Sequence, residues 1–513
     1  MATITEPVVH GRQVASELKT NTLTLFDTTV IATSSVAPAY TLAATAAVLI
    51  AAVGLQSPAA ILVGFFPVLF IAIAYYYLNR MDPNCGASYS WVSRTLNPYI
   101  GWLSGWVQLA ANILFCAAAP LLAGTYTLRL LNSLFPGQIS QAIVTDPRYI
   151  AAAGATWLAL VTFMVVRGIR ITANFQWVLV FIEYFIVLGF AVLAIAKVAT
   201  GHAPTQNHFA GNWFSPFSLG NLDNVVVGAA LAVFFFWGWD TAANVNEETK
   251  DASTSPGLAG IFSMFILLFI FLLAAVAIQM FLSTSDIGNN TTDILYFFSQ
   301  QLTGSPLSYL MILAVLSSTV ATTQTTLLPS SRLTFSMARD GVFPRWFGKV
   351  HRSWRTPWVG TIISAILSLA IIIVTLLSPS FNNNIFARLI LDIGVLVAVY
   401  YGVTGFASAW AFRKVLLTTP GRFLFAGLLP AVGGLLLFFV AYAVLVPSST
   451  GLKFAQAADW ATGLPVLVLI GIGLPLLLMA RVASRSGFFT EKTVSYVDVG
   501  GQLSVSAPGT PIA

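Results

Sequence analysis

The chain has 513 residues, 57% hydrophobic and only 8% charged, with 24 Lys and Arg against 18 Asp and Glu for a formal net charge of +6. A soluble domain carries about 25% charged residues; with a mean hydropathy of +0.83, a water-soluble globular fold is excluded and lipid is the main solvent. The positive balance needs no nucleic-acid partner, because it reports basic loops between apolar stretches.

Residues 1–23 read as a polar tail on the cytoplasmic side, with no secretory signal peptide, since the apolar segment that follows is too long for one. Apolar spans of roughly 20 residues or more, enough to cross a bilayer, then recur at approximately 24–53, 57–79, 99–131, 149–167, 172–199, 224–248, 257–283, 305–335, 357–378, 385–412, 422–446 and 461–482. The first is interrupted at Ser34-Ser35-Val36-Ala37-Pro38 and the sixth at Phe236-Trp237-Gly238-Trp239-Asp240. Spans one to five (24–200) and six to ten (222–414) therefore read as two five-helix repeats, each opening on a broken helix. An odd number of spans per repeat inverts the second copy relative to the first. Spans eleven and twelve (420–483) are appended, and the polar tail 484–513 is expected to lack structure.

The basic residues test this topology. With the N-terminus inside, 19 of the 24 Lys and Arg fall on the cytoplasmic side. Arg129, Arg148, Lys197, Arg388 and Lys453 fall outside or at outer helix ends. That asymmetry supports twelve spans with both termini cytoplasmic. Cys85 sits in a loop and Cys116 in the third span, which implies neither a disulfide nor a metal site. The four histidines, His10, His202, His208 and His351, lie in tails or loops, so no histidine relay crosses the membrane. Asn289 and Asn290 each begin an Asn-X-Thr sequon, a motif short enough to arise by chance.

Two broken helices at matching places in two halves point to a transporter's binding site. A carboxylate at bilayer depth, Asp240, costs about 2.5–3.5 kcal/mol on insertion scales, which a plain anchor would not retain.

Three stretches carry a family resemblance. They are Asp82-Pro83-Asn84-Cys85-Gly86-Ala87-Ser88-Tyr89-Ser90-Trp91 with Gly101-Trp102-Leu103-Ser104-Gly105-Trp106; Gly238-Trp239-Asp240 with Asn246-Glu247-Glu248-Thr249-Lys250; and Ser331-Arg332 through Ala338-Arg339-Asp340-Gly341-Val342-Phe343-Pro344 to Thr356-Pro357. In order and on matching sides of the membrane, they resemble the amino acid–polyamine–organocation superfamily of permeases over nearly the whole chain. The resemblance implies an all-α integral membrane fold of twelve transmembrane helices, a LeuT-type 5+5 inverted repeat with two extra C-terminal helices. It implies a plasma-membrane permease for amino acids or related amines, proton-coupled and inward, with an amino acid/amine antiporter as the alternative. Two departures concern substrate. The family's first span usually carries a Gly-Ser-Gly-like break, and its sixth span has Glu where this chain has Asp240.

Where a helix unwinds, freed carbonyls suit an ammonium and the start of the next half-helix suits a carboxylate. Ser34, Ser35, Val36 and Ala37, with Phe236, Trp237 and Gly238, are thus expected to hold the substrate. Pro38 alone could merely kink a lipid-facing helix. Phe234, Trp239 and Asp240 are expected to gate or brace the site, with lipid packing as the alternative for the aromatics.

Glu183, counted from Gly168, falls where proton-coupled members of the resembled family often carry a lysine behind the first break. It is the proton-coupling candidate, or an attractor of a cationic substrate; otherwise it bonds to a hydroxyl or tryptophan elsewhere. Sodium would need hard oxygens, which Ser317, Ser318, Thr319, Thr322 and Thr323 could supply, although hydroxyls more often join helices. Arg388 and Asp392 suit an i,i+4 pair. Glu247, Glu248 and Lys250 suit salt bridges at the inner gate. Without an intramembrane histidine or a nucleophile–base pair, no enzyme chemistry, cofactor or metal is expected. The partners implied are a small-molecule substrate, protons and membrane lipid.

Overall fold

The computed structural model describes residues 18–202, 206–290, 293–377, 385–445, 460–499 and 502–505. Helix α1 (Leu25–Val36) opens on a capping box: the Thr24 hydroxyl accepts from the Asp27 N–H and the Asp27 carboxylate accepts from the Thr24 N–H. Ala37 ends it in the left-handed region, and α2 (Pro38–Val53) begins on a proline, whose missing N–H is not needed there. Gly54, at φ +64°, turns the chain into α3 (Ser57–Met81). Then follow α4 (Ser88–Thr95), α5 (Pro98–Leu134, capped by Asn97), α6 (Gln141–Thr145), α7 (Pro147–Arg167) and α8 (Ile169–Ala199).

The second half begins with α9 (Leu222–Phe235) and the short α10 (Thr241–Asn244). It continues through α11 (Ser255–Phe281), α12 (Thr284–Asn289), α13 (Ile294–Thr303), α14 (Tyr309–Arg339), α15 (Trp358–Leu377) and α16 (Ile385–Ala411). The short α17 (Pro420–Arg422) runs through a π-helical turn into α18 (Leu429–Leu445), and α19 (Trp460–Ala483) follows. Among the described residues, ten stretches are long and apolar enough to cross a membrane; one of them, Leu25–Met81, holds α1, α2 and α3, and Asn224–Phe235 is a shorter apolar helix.

Matching helices of the two halves pack on each other, α3 on α11 and α5 on α14. This is the expected LeuT-type five-plus-five arrangement. From Ala314 to Ala338 every residue of α14 is buried, hydroxyls included. Most of those hydroxyls bond back to their own helix, as Thr319 does to the Val315 carbonyl and Thr323 to that of Thr319, so no side-chain donor is stranded away from water. Outward faces carry the opposite chemistry: Phe181 and Phe185 on α8 and Phe265 and Phe269 on α11 are exposed apolar rings. Helices α5 and α7 approach until a Cβ on Gly124 would strike the Ile150 carbonyl, the small-residue contact that brings membrane helices together.

Two features depart from the sequence reading. Helices α4 and α13 lie where loops were expected. The segment after Ser484, expected to lack structure, forms a 3-10 turn at Phe488–Thr490 and an antiparallel pair, β1 (Tyr496–Val499) with β2 (Gln502–Val505). Aromatic contacts account for that order. Phe488 stacks on Tyr89, Phe489 packs on Tyr99, and buried Tyr496 packs on Phe412.

Candidate functional site

The first break is one residue wide. Ala37, at φ +54°, reverses into α2, and its N–H still reaches the Thr33 carbonyl at 3.3 Å. Two of the carbonyls freed by the break are taken up locally: Ser35 O accepts from Thr322 Oγ1 at 2.6 Å and Val36 O from Thr41 Oγ1 at 2.8 Å. Ser34 Oγ bonds to Gln176 Oε1, whose amide nitrogen donates to Ala321 O and to Gln324 Oε1. This polar seam joins α1, α8 and α14.

Glu183 sits behind the break, fully buried. Its Oε1 accepts from the Ala39 N–H at 2.7 Å and from Ser318 Oγ at 2.8 Å, while Ser318 Oγ also accepts from the Tyr40 N–H at 3.1 Å. The other oxygen, Oε2, has no hydrogen-bond partner among the described residues. Glu183 thus bonds to a hydroxyl, but at the break and not elsewhere. Of the hydroxyl run considered for sodium, Ser318 and Thr322 reach the break, whereas Ser317, Thr319 and Thr323 bond to α14's own carbonyls.

The second break is wider. Between α9 and α10 the chain passes through Phe236–Asp240, with Gly238 at φ +115°. That conformation favours glycine, and space demands it too: a Cβ there would lie 2.8 Å from Ser35 O. Ser35 Oγ and Thr241 Oγ1 are 3.0 Å apart. The two breaks therefore meet backbone to backbone at Ser35 and Gly238.

Asp240 is buried and held from three sides. Tyr401 donates to Oδ1 at 2.9 Å, Tyr400 to Oδ2 at 3.0 Å, and Gln108 Nε2 lies 3.3 Å from Oδ2. Hydrogen-bonded burial of this kind keeps a carboxylate tolerable in an apolar medium. Trp237 Nε1 donates to Tyr400 Oη at 2.9 Å, and its ring packs edge-on against Phe115. Trp239 lies between Tyr75 and Tyr401. None of the aromatic run faces lipid. Phe234, Phe235 and Phe236 are all buried, with Phe235 and Phe236 against Phe271 and Phe236 also against Phe65.

Every residue singled out at the two breaks thus falls in one buried region. Gln108, Gln176, Tyr400 and Tyr401 join it without having been expected. The adjacent tyrosines in an apolar span were the visible signal for the last two. Arg388's side chain lies outside the described residues, so its pairing with Asp392 is not described.

Charged ties hold both ends of the bundle. On the face of the N-terminal segment, Arg332 forks onto Glu248 through Nε and Nη2 at 2.8 and 3.0 Å, both side chains fully buried. Arg339 pairs with Glu247, which also accepts the Cys85 N–H at 3.0 Å. The Glu248 carbonyl accepts from the Thr22 and Leu23 N–H groups, and the Lys250 N–H donates to Leu23 O, pinning the N-terminal segment to the end of the sixth span. Beside this cluster burial raises the Asp340 carboxyl, with Arg94 and the Tyr89 hydroxyl opposing. At the opposite face Arg129 pairs with Asp293, which also accepts from Tyr126 Oη at 2.6 Å. An open depression of about 970 Å³, solvent included, adjoins this pair and is lined by Asn132, Gln141 and Tyr296.

Paired broken helices joined at the centre of an inverted repeat, closed by polar ties above and below, define a membrane transporter. The chain belongs to the family described as Amino acid permease, which it matches over residues 23–473. It is similar to the low-affinity putrescine importer PlaP of Escherichia coli (strain K12), 26% identical over 392 residues, 74% of this chain and 78% of that one. It is also similar to the methylthioribose transporter of Bacillus subtilis (strain 168), 26% identical over 307 residues, 58% of this chain and 63% of the relative. The arginine/ornithine antiporter of Latilactobacillus sakei is 25% identical over 400 residues, 74% of this chain and 80% of the relative. Among solved structures, MhsT in complex with L-phenylalanine superposes with a TM-score of 0.58 at 14% identity, covering 80% of this chain and 98% of that one. The relatives and the fold are those of transporters, not enzymes.

Proposed function

We propose that this chain is a proton-coupled carrier that moves an amino acid or a related amine into the cell across the plasma membrane by alternating access. It has twelve spans and both termini in the cytoplasm in this reading. Ser34, Ser35, Val36, Ala37, Phe236, Trp237 and Gly238 surround the substrate. Phe234, Trp239 and Asp240 brace and gate it, and Glu183 carries the proton.

The supporting observation is Glu183 itself. One oxygen ties the start of α2 to α14 while the other is buried without a partner. A proton arriving at Oε2 changes the charge directly behind the first hinge, which is how a proton gradient can bias a bistable element. Exchange of one amine for another is the second reading, favoured by the similarity to an antiporter over 74% of the chain.

Uptake of radiolabelled amino acids and amines into proteoliposomes, in sodium-free buffer with and without an inward proton gradient, tests both. Gradient-driven accumulation supports the symporter; uptake only into preloaded vesicles moves the assignment to the exchanger. Glu183→Gln is expected to flatten the pH dependence of uptake, and an unchanged profile removes Glu183 as the proton carrier.

A further inference from the structure

The substrate-facing donors of the first break are already occupied. A half-helix that begins at a break ordinarily offers its first amides and its positive dipole end to an anion. Here Pro38 has no N–H, the Ala39 N–H is bound by Glu183, and the Tyr40 N–H is bound by Ser318. The Ala37 N–H turns back to Thr33 O, and the Thr41 N–H to Ala37 O. A carboxylate belonging to the protein, Glu183, fills the seat that a substrate carboxylate would take.

The surroundings repeat the same sign. Helices α1 and α9 both end at this point, Val36 and Phe235 being their last residues, and helix C-termini carry partial negative charge. The charged group at the second break is another carboxylate, Asp240, held by donors of the protein's own. The one buried basic side chain among the described residues, Arg332, is claimed by Glu248. Glu183 Oε2 remains an unpartnered acceptor, and Gln108 Oε1 is a second one near Asp240. A bound carboxylate would face two carboxylates with no free buried cation among the described residues, whereas an ammonium finds an unpartnered acceptor beside each break. Burying a charge without a partner is the costlier arrangement by far.

We infer that the transported species is a cationic amine lacking a carboxylate, because Pro38, Glu183 and Ser318 together remove the amide donors with which the first break would hold one. This rests on the carrier reading above and narrows its substrate class to mono- and diamines.

Matched pairs differing only by the α-carboxylate test it: putrescine with ornithine, cadaverine with lysine, phenethylamine with phenylalanine. Each is assayed as a labelled substrate and as a competitor in proteoliposomes holding the full chain. The carboxylate-free member of at least one pair is expected to be transported, and to compete at a concentration at least ~10-fold lower than its partner. Equal or better competition by the carboxylated members overturns the inference while leaving the carrier reading intact. No transport of any member, with no competition, overturns the amine-carrier reading and this inference with it. In Glu183→Gln the ratio between paired members is expected to narrow, since a neutral amide no longer repels the carboxylate. A ratio unchanged in an inserted, transporting variant overturns the role given to Glu183. A purely structural defect would lower both members together.

Discussion

The two broken helices solve the same problem in opposite ways. The first opens by a single residue, Ala37, and ties most of the backbone groups it frees to Glu183, Ser318, Thr322 and Thr41. The second opens over five residues, Phe236–Asp240, and surrounds itself with aromatic rings and a carboxylate held by two phenols. The narrow break is thus a polar turn braced by α8 and α14, while the wide one is packed by side chains of α5 and α16. Proline at one and glycine at the other fit these roles. Pro38 begins a helix without needing an N–H, and Gly238 alone tolerates φ +115° against the Ser35 carbonyl.

The largest expected effect joins the two. Gly238→Val places a Cβ on the Ser35 carbonyl and forces a conformation costing about 1–3 kcal/mol by itself. Uptake normalised to inserted protein is expected to vanish, and ordinary uptake would show that the breaks do not bear on each other. Asp240→Asn comes next. The shape is kept, but the charge that both tyrosines serve is lost, and uptake is expected to fall while insertion stays normal. Wild-type transport by that variant would reject a bracing role.

Tyr401→Phe removes one of the donors to Asp240, a charge-assisted bond worth about 1.5–3 kcal/mol. A lowered melting temperature in detergent is expected, with partial uptake. Ser318→Ala is the mildest, about 1 kcal/mol, because the Glu183 bond to Ala39 survives. Its expected mark is a shifted pH profile of uptake at near-normal maximal rate, and a profile superimposable on wild type would separate Ser318 from the proton path.

The helix intervals were legible because apolar length is written directly into a membrane chain, and both breaks carry local markers, Pro38 and Gly238. Asp240 and Glu183 stood out since a charge inside an apolar run must have a reason. What surrounds them was not legible. Gln108, Tyr400 and Tyr401 come from helices distant in the chain, and only packing brings them to Asp240, as it brings Gln176 to Ser34. The order after Ser484 was hidden for a related reason: its residues are polar on average, and its few rings matter only because Tyr89, Tyr99 and Phe412 await them. The use of the first half-helix's amides was likewise invisible, since it depends on which way one glutamate turns.

That aromatic docking also bears on how the protein can be handled. The Val494 N–H bonds to the Arg94 carbonyl at 2.8 Å, and Phe488 and Tyr496 cover Tyr89 and Phe412. A chain shortened at Ser484 would uncover rings that now lie sheltered, creating a sticky patch of the kind that drives proteins together. Purification tags and fluorescent fusions therefore belong beyond Val505, with the clasp left whole.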